Sequence, residues 1–152
     1  MISQSDLYNN EIICAISIYL VLLHLDHISI SKALLIFPII SHQESLDFLK
    51  NNNTIVRSLE EFISKKPNYF SNYNERFYSF LTLSINSIML LKEIRLIRFL
   101  DSQIVLDKDK MINLEKEKIG QRAVSIAEAA PKLASILRQD EKNLYLQLRV
   151  RL

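Results

Sequence analysis

Three histidines, one cysteine and a scatter of serines and carboxylates are the side chains from which this chain would build any chemistry. His24 and His27 are spaced i, i+3 around Asp26, so on a helix two imidazoles would share one face and could hold a metal ion. Such a site also needs a third ligand and an open position, and the residues that follow, Ile28-Ser29-Ile30, bring no companion ligand. The pair is expected at a helix end, where a cationic imidazole complements the dipole. Ser41 beside His42 joins a hydroxyl to a possible base. No glycine turn surrounds Ser41 to present a nucleophile or aim oxyanion donors, so the two read as a helix start. Glu60 and Glu61 would point to different sides of a helix, as solvated charges do. Walker, dinucleotide and zinc-ribbon spacings are missing from the sequence. The expectation is a non-catalytic chain with no metal or cofactor of its own.

Small-ligand chemistry also leans on glycine, because phosphate cradles and nucleophile turns need dihedrals that other residues avoid. Only Gly120 is available in 152 residues, and it sits between charged, helical-looking stretches rather than in a loop of its own. Composition therefore points to a compact, mostly helical binding part. One domain spanning 1–152 is expected, with a core that needs no disulfide. The lone Cys14 excludes an internal disulfide and fits a reducing compartment, so a cytoplasmic location is expected. Hydrophobic residues make up 49% of the chain, and surplus apolar surface on a small domain often lies against a partner. A net charge of +2 is too small to signal nucleic-acid binding by bulk electrostatics. The uncharged run from Ile12 to Leu25 falls short of the roughly 20 residues a bilayer crossing needs, and acidic Asp6 and Glu11 precede it. It reads as a helix buried on nearly all sides, and no membrane segment is expected.

The elements that would carry these residues follow from periodicity and punctuation. A helix is predicted over 5–25, and a short one opened by Ser29 or Ser31 runs to Phe37, with a bend at Pro38. A capped restart at Ser41–Glu44 ends at the Asn51-Asn52-Asn53 turn. Thr54 is predicted to cap a helix through Ile63 that stops at Lys65-Lys66-Pro67, and a long aromatic helix over 71–91 follows. The period then changes. Residues 94–106 read as a β-hairpin turning at Asp101-Ser102, and 107–118 as a charged linker. The C-terminal helical segment, 119–152, contains Pro131 as a kink or restart. Asp140 caps its last element, whose apolar residues fit either a strand or a helix row. The expected fold is mainly α with a small β-hairpin, a compact helical domain that is winged-helix-like.

Cations cluster late in the chain. Arg95 and Arg98 fall on the candidate wing, facing opposite sides of a strand, while Arg138, Lys142, Arg149 and Arg151 make the C-terminal part basic. Arg95, Arg98, Arg138 and Lys142 are candidate phosphate contacts, and equally suit a rim facing an acidic protein surface. Asp101 at the wing tip argues against DNA there. A winged-helix DNA-binding regulator is the alternative function, with Arg57, Ser58, Glu60 and Glu61 as the best recognition-helix stretch, an acidic one.

Five stretches look familiar, in order and at consistent spacing. Ala33-Leu34-Leu35-Ile36-Phe37-Pro38-Ile39-Ile40-Ser41-His42 resembles the leucine-rich, proline and histidine segment of middle-component proteins of three-component ABC-ATPase systems. Thr54 to Leu59, then Asn74-Glu75-Arg76 to Leu81, are similar to that family's Thr/Ser-Leu and Glu-Arg helices. Arg122-Ala123 through Leu137, and Leu144 through Leu152, resemble its C-terminal part. Two positions depart from the pattern: Arg149 stands where a glycine is usual, and Ser45-Leu46-Asp47 replaces a basic residue after the histidine motif.

The resemblance implies the partners. Its nearest setting is the Lamassu-type anti-phage and anti-plasmid systems, in which this chain would be the small subunit. It would be an adaptor between an SMC-like coiled-coil ABC ATPase and an effector nuclease. ATP and magnesium would belong to the ATPase, and DNA would be reached through the complex. Two contact surfaces are expected: a strip of Leu35, Phe37, Ile39 and Ile40, and the exposed side of the last segment, Tyr145, Leu148, Arg149 and Arg151.

Overall fold

A computed structural model describes residues 4–115 and 118–152 of the chain. Its centre is α1 (Gln4–Leu22), whose Cys14, Ile18, Tyr19, Val21 and Leu22 are all buried. A helix apolar on every side needs neighbours on every side. Those neighbours are α3 (Ile36–Ile40), α7 (Leu81–Glu93) and α8 (Gln121–Leu137). Small side chains let α7 come close. The Ser87 hydroxyl donates to the Leu83 carbonyl at 2.8 Å and to the Glu11 carbonyl of α1 at 3.1 Å. Cys14 lies in the same seam, where burial pushes its thiol up to about 11. A protonated, enclosed thiol is inert.

Helix α1 ends earlier than predicted, at Leu22, because the chain turns through Asp26 at φ 66 into a short strand, β1 (His27–Ser29), that the sequence reading missed. Ser29 then caps α2 (Ile30–Ala33) by accepting from the Lys32 N–H at 3.2 Å. The bend expected at Pro38 occurs before it, at Leu34–Leu35, and Pro38 lies in the first turn of α3, where no N–H is required. His42 caps α4 (Gln43–Lys50): its Nδ1 accepts from the Ser45 N–H at 3.2 Å.

Helix α5 (Leu59–Lys65) starts later than Thr54. Its cap is Ser58, whose hydroxyl accepts from the Glu61 N–H at 3.1 Å, while the Glu61 carboxylate accepts from the Arg57 N–H at 2.9 Å. This near-reciprocal Ser-x-x-Glu arrangement outcompetes Thr54 and leaves Ile55 in solvent. After a 3-10 turn at Pro67–Phe70, the long aromatic helix expected over 71–91 proves to be two, α6 (Tyr73–Ser79) and α7. They part at Phe80, whose ring meets Phe37 edge-on at 5.0 Å. Arg76 of α6 fastens this region, its guanidinium donating to the Pro38 carbonyl at 3.1 Å and the Tyr69 carbonyl at 2.9 Å.

The predicted hairpin is present as β2 (Ile97–Leu100) and β3 (Gln103–Leu106). Asp101 and Ser102 have φ of 51° and 64°, the left-handed pair that a two-residue type I′ turn demands. Ile94–Leu96, expected in the hairpin, instead close α7 and turn through Arg95 at φ 64. The three strands form an antiparallel sheet in the order β1-β3-β2, with Ile28 opposite Ile104 and Phe99 opposite Ile104. Helices, then a hairpin that pairs back onto an early strand, give a mainly helical, compact domain with a small three-stranded antiparallel sheet. The polar linker makes one 3-10 turn at Lys108–Lys110, and 116–117 lie outside the described residues. Gly120 opens α8 at φ 83, and α8 continues through Pro131 without a restart. The undecided last element is a helix, α9 (Glu141–Gln147), capped by Asp140 as predicted and closed by a turn through Leu148 and Arg149, the latter at φ 57.

Candidate partner-binding surfaces

The first expected strip is not a surface. Leu35, Phe37, Ile39 and Ile40 are 0–1% exposed, because α3 is five apolar residues packed against α1, α4 and α6. A helix with no polar face has nowhere to offer a partner. Tyr73 closes over this stretch, its hydroxyl donating to the Leu35 carbonyl at 3.0 Å. Leu148, named for the second surface, is also core.

The rest of the second surface stands at the edge of an apolar cleft. Leu34, Phe77 and Leu81 line one side, and Tyr145, Leu146 and Val150 the other, around about 520 Å³. Leu146 is 65% exposed, an unusual placement for a leucine beside other apolar groups. The polar groups near the mouth already have partners. The Tyr145 hydroxyl donates to the Ser31 carbonyl at 2.5 Å, and burial, followed by the charge of Glu141, raises its pKa so that it stays a donor. The Glu141 carboxylate accepts from the hydroxyls of Ser29, at 2.5 Å, and Ser31, and those two bonds hold it below the usual carboxylate range. Tyr78 donates to the Arg151 carbonyl, and the Arg151 N–H to Asn74 at 2.8 Å. Arg151 is exposed between Val150 and Leu152, which line the cleft, whereas the exposed Arg149 belongs to a separate hollow with Ile63, Pro67 and Phe70.

A second apolar surface was not foreseen. Between α1 and α7, a groove of about 190 Å³ is lined by Ile12, Ile16, Leu90, Ile94 and Ile112, without a polar group. On another face of α7, turned away from the groove-lining Leu90 and Ile94, Ile85 and Met89 are exposed one turn apart. The apolar content of α7 was visible in the sequence, but with leucines and isoleucines on both sides its pattern could not say which face points outward. Leu81 lines the cleft and Leu90 the groove, so one helix spans the two surfaces at a separation of about 14 Å along its axis.

The candidate nucleic-acid contacts do not converge. Arg98 lies on the open face of the sheet, in a hollow with Asp26, Asp107, Lys108 and Asp109, where Lys108 pairs with Asp26 at 3.6 Å. Arg95 is exposed beyond α7. Arg138 spends its guanidinium on the His24 carbonyl at 2.9 Å, tying the end of α8 to the end of α1. Lys142 sits at the apolar cleft. Cations interleaved with acids give no contiguous positive field. The helix leading into the hairpin presents Thr82, Ile85, Asn86 and Met89 to solvent rather than a basic face, and Arg57 and Ser58 precede α5 instead of projecting from a helix. His24 and His27 lie after α1 and at the start of β1, not on one helix face. Among the described residues no group of three or more histidine, cysteine or acidic side chains is placed to hold a metal. No helix among them is long and apolar enough to cross a membrane.

The model of one protein family, described as ABC-three component (ABC-3C) system Middle Component 3, matches residues 7–152. No curated protein and no solved structure matches the chain.

Proposed function

This chain belongs to the Middle Component 3 family of ABC-three component systems, and from that premise we propose that it is a non-catalytic adaptor holding two larger subunits together. A middle component of a multi-component system has protein partners. The partners proposed are an SMC-like coiled-coil ABC ATPase and an effector nuclease, in a cytoplasmic anti-phage or anti-plasmid complex of Lamassu type. The reading is carried by one observation: two separate apolar surfaces, the cleft beside α9 and the α1–α7 groove, are joined by a single helix. A rigid block with two greasy faces suits a part that must hold two neighbours at fixed spacing and pass a displacement between them. In this scheme ATP and magnesium are bound by the ATPase, DNA is engaged through the complex, and the nuclease stays quiet until a shift at the adaptor's contacts releases it. The test is co-purification from cells expressing all three subunits. Arg149→Glu with Arg151→Glu, both on exposed side chains, is expected to weaken capture of one partner while the melting curve stays unchanged. Undiminished capture removes these residues from the interface, and a chain that captures neither subunit defeats the adaptor reading.

A further inference from the structure

The cleft beside α9 constrains what can fill it. Its walls are apolar side chains from α2, the α6–α7 junction and α9. A small-molecule site would need convergent polar groups to orient a ligand. Here the Tyr145 and Tyr78 hydroxyls and the Glu141 carboxylate are already engaged within the chain. An added β-strand would need free backbone groups along the wall. The 148–152 wall offers no strand edge: it turns through Leu148 in helical geometry and Arg149 at φ 57, the Val150 N–H donates to the Tyr145 carbonyl at 3.2 Å, and both the N–H and the carbonyl of Arg151 are taken. An occupant must therefore satisfy its backbone internally and bring apolar side chains, which a helix does. Charge narrows it further. Lys142 lines the mouth and Arg151 stands in the chain between the lining residues Val150 and Leu152; both are exposed, and neither is in an ion pair among the described residues. The one acid lining the cleft, Glu141, is turned onto Ser29 and Ser31.

We propose that this cleft seats an amphipathic helix of a partner subunit, its apolar stripe entering between Leu81 and Leu146 and its flanks carrying aspartate and glutamate toward Lys142 and Arg151. The inference rests on the adaptor reading and specifies its partner at this surface. The test uses the full chain and a designed fluorescent peptide with leucines at i, i+3, i+4 and i+7 and acidic flanks. A copy with lysine and arginine flanks is the comparison, and both are followed by anisotropy. The acidic peptide is expected to bind and the basic one not to. Leu146→Glu, on an exposed side chain that leaves folding intact, should weaken binding at least about tenfold. Lys142→Glu with Arg151→Glu should weaken it too and flatten its dependence on salt. Equal binding of the two peptides, no binding of the acidic one to folded chain, or binding indifferent to Leu146→Glu overturns the proposal. So does a dimer of the chain that Leu146→Glu disperses, since the cleft would then join two copies. Assembly with the subunits in cells separates the two ideas: intact capture with a failed peptide sinks only this inference.

Discussion

Gly120 has nothing within 4 Å of where a side chain would begin, yet its φ of 83 and ψ of 161 lie in a region that essentially only glycine enters. Its role is to let the linker turn into α8, not to make room for a ligand. Gly120→Ala is therefore expected to destabilise the fold by about 1–3 kcal/mol, read as a lower urea midpoint, although it creates no clash. His42 supplies a different kind of dependence. Its Nδ1 can cap α4 only while unprotonated, and burial, then the positive Arg76, hold its pKa below the ordinary 6.5, with Glu44 pulling the other way. The unfolded chain binds this proton more readily, so the cap's stabilisation is complete above about pH 6.5 and is lost as pH falls through the lower folded value. Urea midpoints measured across that range should show the slope. His42→Asn, a cap that does not titrate, should reduce it, and an unchanged slope would place its origin elsewhere.

At the scale of elements, the hairpin is the segment where local chemistry and tertiary structure agree. Asp101-Ser102 holds two left-handed residues without a glycine, and each non-glycine there costs about 1–2 kcal/mol. Ser102→Gly should relieve that strain, offset by about 0.4–1 kcal/mol of unfolded-chain entropy. A net gain of about 0.5–1 kcal/mol in thermal or urea unfolding is expected. This turn was legible because two strand-like runs flank a two-residue gap, and the Asp140 cap because a capping side chain directly precedes its helix; Ser29 was one of two candidates, with Ser31, for the cap of α2. Other features depend on distant partners. Strand β1 has three residues and exists only because β3 is there to pair with it, so no local pattern announces it. Thr54 and Ser58 are both good caps, and the choice between them was written in Glu61, whose carboxylate returns to the Arg57 N–H. The aromatic helix breaks at Phe80 because its ring packs on Phe37, far away in sequence. For the contact surfaces, the apolar strip on α3 was as greasy as a binding site should be. Greasiness alone cannot distinguish a core helix from a docking helix when both lack polar positions.

At the scale of the whole molecule, the proposed adaptor role requires two separate docking surfaces. The α1–α7 groove, with Ile94 exposed at it, and the cleft holding Leu146 are two separate apolar exposures on a single small domain. They would also make the isolated chain prone to self-association, which Ile94→Glu and Leu146→Glu should each relieve in sedimentation experiments. Both substitutions sit on exposed side chains, so loss of binding would not be loss of fold. The most direct measurement is affinity capture of this chain, co-expressed with the proposed ATPase and effector, as wild type, as Ile94→Glu in the groove and as Leu146→Glu in the cleft. The account predicts that wild type brings down both subunits and that each substitution releases a different one while retaining the other. Release of the same subunit by both substitutions, or full retention by either, would contradict the claim that two surfaces on one rigid block hold two partners.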